Sequence, residues 1–432
     1  MAHRLIVSFV VAALGASFMS TSGLIASESN KIFTLPVLVT FGLLVGLTYL
    51  VGSAYGAIFG EYYFYGDEGR DSYLIRKAPA GMTRETGIAE MKRSRKVGAI
   101  PPVYPNGWFA VLRSEELKKM ETKYVHALGL HLAVFRGESG KVYITDAYCP
   151  HLGANLAIGG KVKGECIECP FHGWTYRGDD GKCVKIGYAE KVPDFVKVDT
   201  HQCHEIAGYI CLWFHAEKEE PSWFPLQDVE AKMSTMGKVG FFEAYVECHV
   251  QDIIENGGDI PHLNVVHGPQ IYDKHYTGTF EVHETKKHIG ITASSFVRKD
   301  SKNIWSYFSP EYKKQKREIY QEQHGPGLCF VDFGKELLVI ANTPVGPLRQ
   351  KLTYVLYSPF TKGLKNAIVN KLRLYFSFLA LQGDFVIWAN KTYLSKPQYV
   401  KEDSPTVAHR RWFSQFYTEH SPRYNPPDPL QW

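Results

Sequence analysis

Between Tyr148 and Trp174 the chain reads YCPHLGANLAIGGKVKGECIECPFHGW, and no other stretch restricts its possible folds so tightly. Cys149 and His151 sit in one short segment, Cys169 and His172 in a second, with 17 residues between His151 and Cys169. Two thiolates and two imidazoles this close together are metal ligands, disulfide partners or core residues. A zinc finger gathers both cysteines into one knuckle and both histidines into the other, whereas each knuckle here holds one of each. Eight cysteines among 432 residues is too sparse for a disulfide scaffold, and a cytosolic chain keeps its thiols reduced and free for metals.

A Rieske [2Fe-2S] centre binds one iron through two cysteines and the other through two histidines, so two loops that each offer a Cys and a His can straddle it. The spacing selects that cluster, with Cys149, His151, Cys169 and His172 as its ligands. Gly153, Gly159, Gly160 and Gly173 suit loops that turn tightly and approach the cluster closely. Cys166 makes C-x2-C with Cys169 but has no histidine of its own, and is expected in the strand before the second loop as a structural residue. Cys183, Cys203, Cys211, Cys248 and Cys329 show no ligand spacing, and His201 and His204 read as solvated residues of a polar turn.

The N-terminus is apolar. Leu5 to Ala26 has no charged residue for 22 positions, and Ile32 to Gly60 none for 29, each enough to cross a bilayer as a helix. The first run reads either as a secretory signal or as a helix. The second leads into the aromatic cluster Glu61-Tyr62-Tyr63-Phe64-Tyr65 and then a basic flank of Arg70, Arg76, Lys77, Arg84, Lys92, Arg93, Arg95 and Lys96. That flank predicts a cytoplasmic C-terminal side. Lysine and arginine number 49 against 44 aspartates and glutamates, too small a surplus for a nucleic-acid surface.

The predicted class is α+β. A membrane anchor of one or two helices occupies 1–60 and a basic juxtamembrane linker 61–104. An all-β Rieske domain follows over 105–217, then a mononuclear non-haem iron domain of helix-grip-like α+β form, with an antiparallel sheet, over 218–432. Within the last, Phe280 to His283, Gly290 to Val297, Leu337 to Ala341 and Leu352 to Tyr357 read as strands, and Lys365 to Lys391 as a helix. Ser421 to Trp432 reads as an irregular tail.

A cluster alone only carries electrons, and Asp259-Ile260-Pro261-His262-Leu263-Asn264-Val265-Val266-His267 supplies a reason for the second domain. Two histidines and a carboxylate on one face of an iron leave positions open for oxygen and substrate. On a regular helix, residues five apart diverge by about 140°. His262 and His267 therefore require a bent or interrupted helix, with Pro261 and Gly257-Gly258 as the expected means. The carboxylate is expected from Asp384, an acid in the apolar run Gln382-Gly383-Asp384-Phe385-Val386, because a buried aspartate is costly unless paired or metal-bound.

These residues resemble the Rieske oxygenases. The respiratory type usually carries a further cysteine in each loop, and those positions here are Ala154 and Phe171. The resemblance implies that Asp259 acts in catalysis by linking His262 to His172 or His151 of a neighbouring subunit in a head-to-tail homotrimer. Glu255 stands where ring-hydroxylating dioxygenases commonly carry asparagine, which speaks against aromatic-ring dioxygenation. CPHLGANLA, GGKVKGECIECPFHGW and the ENGGD-PHLNVVHGP run are more closely similar to the Neverland family of cholesterol 7-desaturases. That likeness implies conversion of cholesterol to 7-dehydrocholesterol in steroid hormone synthesis, using a [2Fe-2S] cluster, mononuclear Fe(II), O2 and NAD(P)H-derived electrons. An endoplasmic reticulum membrane location is expected, with the catalytic domains facing the cytosol as the basic flank predicts. With no nucleotide-binding fingerprint in the chain, a separate reductase or ferredoxin is expected. The competing readings are a steroid hydroxylase of the ketosteroid-hydroxylase type, a pheophorbide-oxygenase-like enzyme and a membrane-anchored Rieske electron carrier.

Overall fold

The structure is a computed structural model that describes residues 31–59, 62–65, scattered positions from 81 to 90, and then 95–225, 227–267, 274–298 and 317–424. It forms two compact units, one of Met1–Tyr62 with Lys362–Val369, the other of Tyr63–Thr361 with Asn370–Trp432.

In the first unit Lys31–Phe59 is a single helix, α1. Its side chains are described from residue 40 to 55, where Leu43, Leu44, Leu47, Leu50 and Val51 are all exposed. Among the described residues no helix is long and apolar enough to cross a membrane. The first apolar run, Leu5 to Ala26, and most of the basic flank lie outside the described residues. Tyr62–Tyr65, the aromatic cluster, is a strand, β1, at the edge of the largest sheet.

The second unit begins its regular structure with three small sheets. One is built from β2 (Gly107–Arg113), β11 (Cys203–Ile206) and β12 (Tyr209–Phe214), another from β3 (Thr122–Ala127), β4 (Leu130–Arg136), β5 (Val142–Asp146) and β10 (Thr200–His201). The third holds β6 (Lys161–Lys163), β7 (Cys166–Glu168), β8 (Thr175–Arg177) and β9 (Cys183–Lys185) in sequential order. Leu132, Ala133, Val134 and Phe135 are all buried in succession, which marks β4 as a strand covered on both faces rather than one half in water.

The remaining strands build one eight-stranded sheet. They are β13 (Gly237–Val246), β14 (Lys274–Val282), β15 (Ile289–Arg298), β16 (Arg317–His324), β17 (Leu328–Asp332), β18 (Leu337–Gly346) and β19 (Arg349–Ser358). The order is β1-β13-β19-β18-β17-β16-β15-β14, antiparallel at every pairing from β13 to β14. The four segments read as strands lie within β14, β15, β18 and β19, apart from His283 just past the end of β14. Helix α2 (Gln227–Ser234) precedes the sheet, and α3 (Val250–Glu255) follows β13. The expected C-terminal helix runs as α4, Leu364–Asn390, with α5 at Ser404–Phe413.

Alternation along β2 joins the small sheets to the large one. Trp108 packs with Trp213, Phe241, Val339 and Val355, while Phe109 turns the other way into a cluster with Leu132, Ile254, Trp412 and Phe413. The point where the second domain was expected to begin, 217/218, falls between β12 and α2, and the elements on its two sides share these cores. The proline-rich stretch before β2 is pinned too: Val103 N–H donates to Pro422 C=O and Asn106 N–H to Phe416 C=O. Ser421, where an irregular tail was expected to start, is accordingly buried.

Candidate metal centres

The two cysteine–histidine loops have the same backbone construction. Cys149 N–H donates to Ala154 C=O at 2.9 Å and Cys169 N–H to Trp174 C=O at 2.8 Å, each five residues ahead. Gly153 N–H closes back onto Cys149 C=O and Gly173 N–H onto Cys169 C=O, each four residues back. Both glycines have positive φ, +74° and +69°, a conformation that costs other L-residues about 1–2 kcal/mol. The equivalent turns bring His151 and His172 together although they follow their cysteines by two and three residues, with ring centroids 4.7 Å apart.

Burial differs sharply across this constellation. Cys149 and Cys169 are each 3% exposed, while both histidine rings reach the surface side. Burial pushes the Cys149 thiol up, opposed by hydrogen bonding to the Tyr176 hydroxyl 3.0 Å away. His151 lies flat on Trp174 at 4.4 Å, and Trp174 Nε1 donates to the Tyr188 hydroxyl. The Nδ1 atoms of His151 and His172 are buried without a protein partner. An orphaned buried nitrogen is costly, and two of them beside two buried sulfurs fit a cluster that takes a Cys pair on its inner iron and a His pair on its outer one. Cys166 lies in β7, in the strand before the second loop, as expected. His201 and His204 do not lie in a turn: they sit on β10 and β11, and His201 Nε2 meets Asp146 Oδ1 at 2.8 Å. All eight cysteines are free.

The second centre is assembled from distant parts. α3 ends at Glu255, Asn256-Gly257-Gly258 make a turn, and Asp259 starts a single helical turn, Ile260–His262, that passes into a π-helix over Leu263–His267. In a π-helix the hydrogen bond links i to i+5, so residues five apart come back to nearly the same face. The interruption demanded by His262 and His267 is therefore a π-turn. Pro261 occupies the first turn of the helix, where its missing N–H is harmless. Gly257 and Gly258 lie in the turn that breaks the helix after Glu255, as expected. They permit close packing, since a Cβ at Gly257 would lie 2.2 Å from Gln321 Nε2 and one at Gly258 2.8 Å from His409 Cβ.

Asp384, 2% exposed on the inner face of α4, completes the group. One ligand atom from each of His262, His267 and Asp384 lies within 4.8 Å of the others, and His267 Nε2 is 3.3 Å from Asp384 Oδ2. His262 Nδ1 is bonded to the Asp259 carbonyl oxygen, which fixes the tautomer and leaves Nε2 free, and that Nε2 is buried with no partner. Burial lowers the His262 pKa, keeping the imidazole neutral as a metal ligand must be. Two imidazoles and one carboxylate on one side of a site suit Fe(II) with open positions.

Asn256 and Arg410 did not stand out in the sequence. Asn256 Nδ2 donates to Asp384 Oδ2 at 3.2 Å, so the amide beside the buried carboxylate comes from the position after Glu255. Glu255 faces away into a two-pronged ion pair with Arg410 of α5, whose guanidinium also lies 5.8 Å from the Tyr399 ring. Asn256 had a usable signal, its place inside the ENGGD run. Arg410 had none, because it lies 155 residues from its partner.

Residues 107–196 match the Rieske [2Fe-2S] domain model, and residues 212–417 match the 3-ketosteroid 9alpha-hydroxylase C-terminal domain model. A cholesterol 7-desaturase of Xenopus laevis is 40% identical over 359 residues, covering 79% of this chain and 78% of its own. The chain belongs to the cholesterol 7-desaturase family of Rieske oxygenases. Another member, from Caenorhabditis elegans, is 37% identical over 373 residues, covering 79% of this chain and 84% of its own. A probable 3-ketosteroid-9-alpha-monooxygenase oxygenase component of Rhodococcus rhodochrous is 28% identical over 77% of this chain and 85% of its own. Among solved structures, dicamba monooxygenase bound to 3,6-dichlorosalicylic acid matches with a TM-score of 0.57 at 17% identity, over 72% of this chain and 97% of its own. At that identity the match speaks for the fold alone. Family membership makes this chain an oxygenase, and its first centre that of a Rieske [2Fe-2S] domain.

Proposed function

We propose that this protein is a cholesterol 7-desaturase. Cholesterol, O2, two electrons and two protons would give 7-dehydrocholesterol and two waters, with the electrons drawn from NAD(P)H through a separate reductase or ferredoxin. The observation that carries the reading is the pairing, in one chain 40% identical to a named desaturase, of a Cys2His2 double loop with a buried His262–His267–Asp384 group. A plain electron carrier has no use for the second group.

In this reading Cys149 and Cys169 hold the inner iron of the cluster, and His151 and His172 the outer one. His262, His267 and Asp384 hold Fe(II), which when bound supplies O2 activation strong enough to break an unactivated C–H bond. The chain's own contribution is positional. The Asp259 carbonyl holds one tautomer of His262, and the Asn256 amide, donating to Asp384 Oδ2, fixes the orientation of that carboxylate beside His267. With the Cys149 and Cys169 sulfurs buried and the His151 and His172 rings on the surface side, a cluster held here would exchange electrons through its histidine side. That side is ringed by exposed apolar side chains, Leu152 at 64%, Phe171 at 63% and Tyr188 at 64%. Such a patch fits a second copy of the chain docked head to tail in a trimer, with Asp259 linking His262 to a cluster histidine of its neighbour.

The uncharged run Ile32 to Gly60 and the exposed leucines of α1 support attachment to a membrane, which we place at the endoplasmic reticulum with the iron centres in the cytosol. A second reading, steroid hydroxylation, is favoured by the match of residues 212–417 to the 3-ketosteroid 9alpha-hydroxylase C-terminal domain. Turnover of cholesterol by the full-length protein with a competent reductase, followed by mass spectrometry, separates the two. 7-Dehydrocholesterol is the expected product. A hydroxylated sterol moves the assignment to hydroxylase, and an unchanged sterol defeats both.

A further inference from the structure

The helix that carries Asp384 has two apolar faces, and among the described residues one is buried and the other exposed. Leu374, Phe378, Phe385, Trp388 and Ala389 of α4 are buried with Asp384. Leu372, Tyr375, Phe376, Val386 and Ile387 are instead 43%, 38%, 41%, 45% and 49% exposed. At about 100° per residue these five fall inside an arc roughly 120° wide and span about 22 Å of helix, opposite the buried set. After Arg373 the only charged residue of the helix is Asp384, which points inward, so the outer face from Leu374 to Asn390 carries no charge. A helix apolar on every side belongs in a core or in contact with lipid.

Three observations choose lipid. The start of α4, Lys362–Val369, falls in one compact unit with α1, whose leucines are exposed over its described length. Leu364 and Ile368, in that first part of the helix, are exposed as well. Lys371 borders the stripe one turn before its aromatic pair, Tyr375 and Phe376, and exposed Lys365 stands at its N-terminal end, the arrangement of helices that lie in the headgroup layer with cations reaching toward anionic lipid.

We propose that the outer face of α4 lies on a phospholipid surface and that the substrate passes from the bilayer around this helix to the centre on its inner face. A helix is about 10–12 Å thick with its side chains, so lipid and Asp384 would stand on opposite sides of a single layer. The proposal rests on the sterol reading above for what is delivered, but not for where the helix lies.

The test uses the full chain with its reductase. Leu372, Phe376 and Val386 are changed together to Glu, and cholesterol is offered either in phosphatidylcholine and phosphatidylserine vesicles or in cyclodextrin. The cluster absorbance reports folding. Product from vesicles should fall about tenfold while product from cyclodextrin stays within about twofold, because three charges oppose insertion of the face but leave the iron centre untouched. A nitroxide at position 376 of the otherwise unchanged protein in vesicles should collide more with O2 than with a water-soluble nickel chelate. Equal turnover in both presentations, preferential collision with nickel, or a change in oligomeric mass in the triple variant, which would mean that a second copy covers the face, each overturns the proposal. Lipid contact at position 376 without 7-dehydrocholesterol from either presentation would instead uphold the surface and defeat the desaturase reading.

Discussion

The two centres are built on opposite principles. The first comes from two copies of one local turn, each closed by its own backbone and a positive-φ glycine within 26 residues, Cys149 to Trp174. The second takes two histidines from a π-turn and its carboxylate from a helix 117 positions further on, and depends on a buried polar frame to keep them together. A local site carries its geometry in its own sequence. A dispersed one borrows it from packing.

The sharpest test of that contrast is independent loss. Cys169→Ser should abolish the cluster spectrum and turnover, by at least about 1,000-fold, while the second centre still takes up Co(II). His262→Ala should abolish turnover equally and leave the cluster spectrum unchanged. Loss of both signals in either variant would mean that the centres fold as one.

Next in size is the frame around the dispersed site. Glu255→Gln leaves Arg410 without its charge partner. Breaking a buried pair costs about 3–5 kcal/mol, and because the Arg410 side chain is one-third exposed we expect about 2, read by chemical denaturation. Adding Arg410→Met should recover most of it. Asn256→Leu removes the hydrogen bond to Asp384 without touching the loops. Metal affinity at the second centre should fall roughly 10–100-fold by titration, with the cluster spectrum preserved.

The local site should respond to backbone instead. Gly153→Ala and Gly173→Ala each force alanine into positive φ and should cost about 1–2 kcal/mol, visible as lower cluster content, with Co(II) affinity at the second centre unchanged.

The remaining expected effect is on pH dependence. His409, fully buried behind Gly258 and hydrogen-bonded to Gln323, has its pKa lowered to about 3 by burial and, less, by the neighbouring Arg410. Its unfolded value is about 6.5, so the unfolded chain takes up a proton that the folded one refuses. Stability is therefore intact above about pH 6.5 and declines as pH falls toward the folded value, by up to about 2 kcal/mol at pH 5. His409→Gln should flatten that decline in thermal melts. His249, also buried and lowered by burial, leaves a residual slope.

Sequence alone was enough for whatever depends on neighbours along the chain. The alternation of Cys and His between two knuckles selected the cluster, the five-residue spacing of His262 and His267 demanded an interrupted helix, and a lone acid in an apolar run pointed to Asp384. It could not say that the interruption is a π-turn, because the hydrogen-bond register of a short helix is set by what packs on it, here β14 through Asn264 and Tyr276. It misplaced His201 and His204, whose strand conformation comes from pairing with β5 and β12 rather than from local polarity. Only tertiary structure could bring Arg410 to Glu255 and Asn256 to Asp384, since a contact between residues more than a hundred positions apart leaves no periodic trace in the chain. The same holds for the outer face of α4. Its residues read as an ordinary apolar helix until packing, which is decided by every other element at once, buried one side and left the other exposed among the described residues.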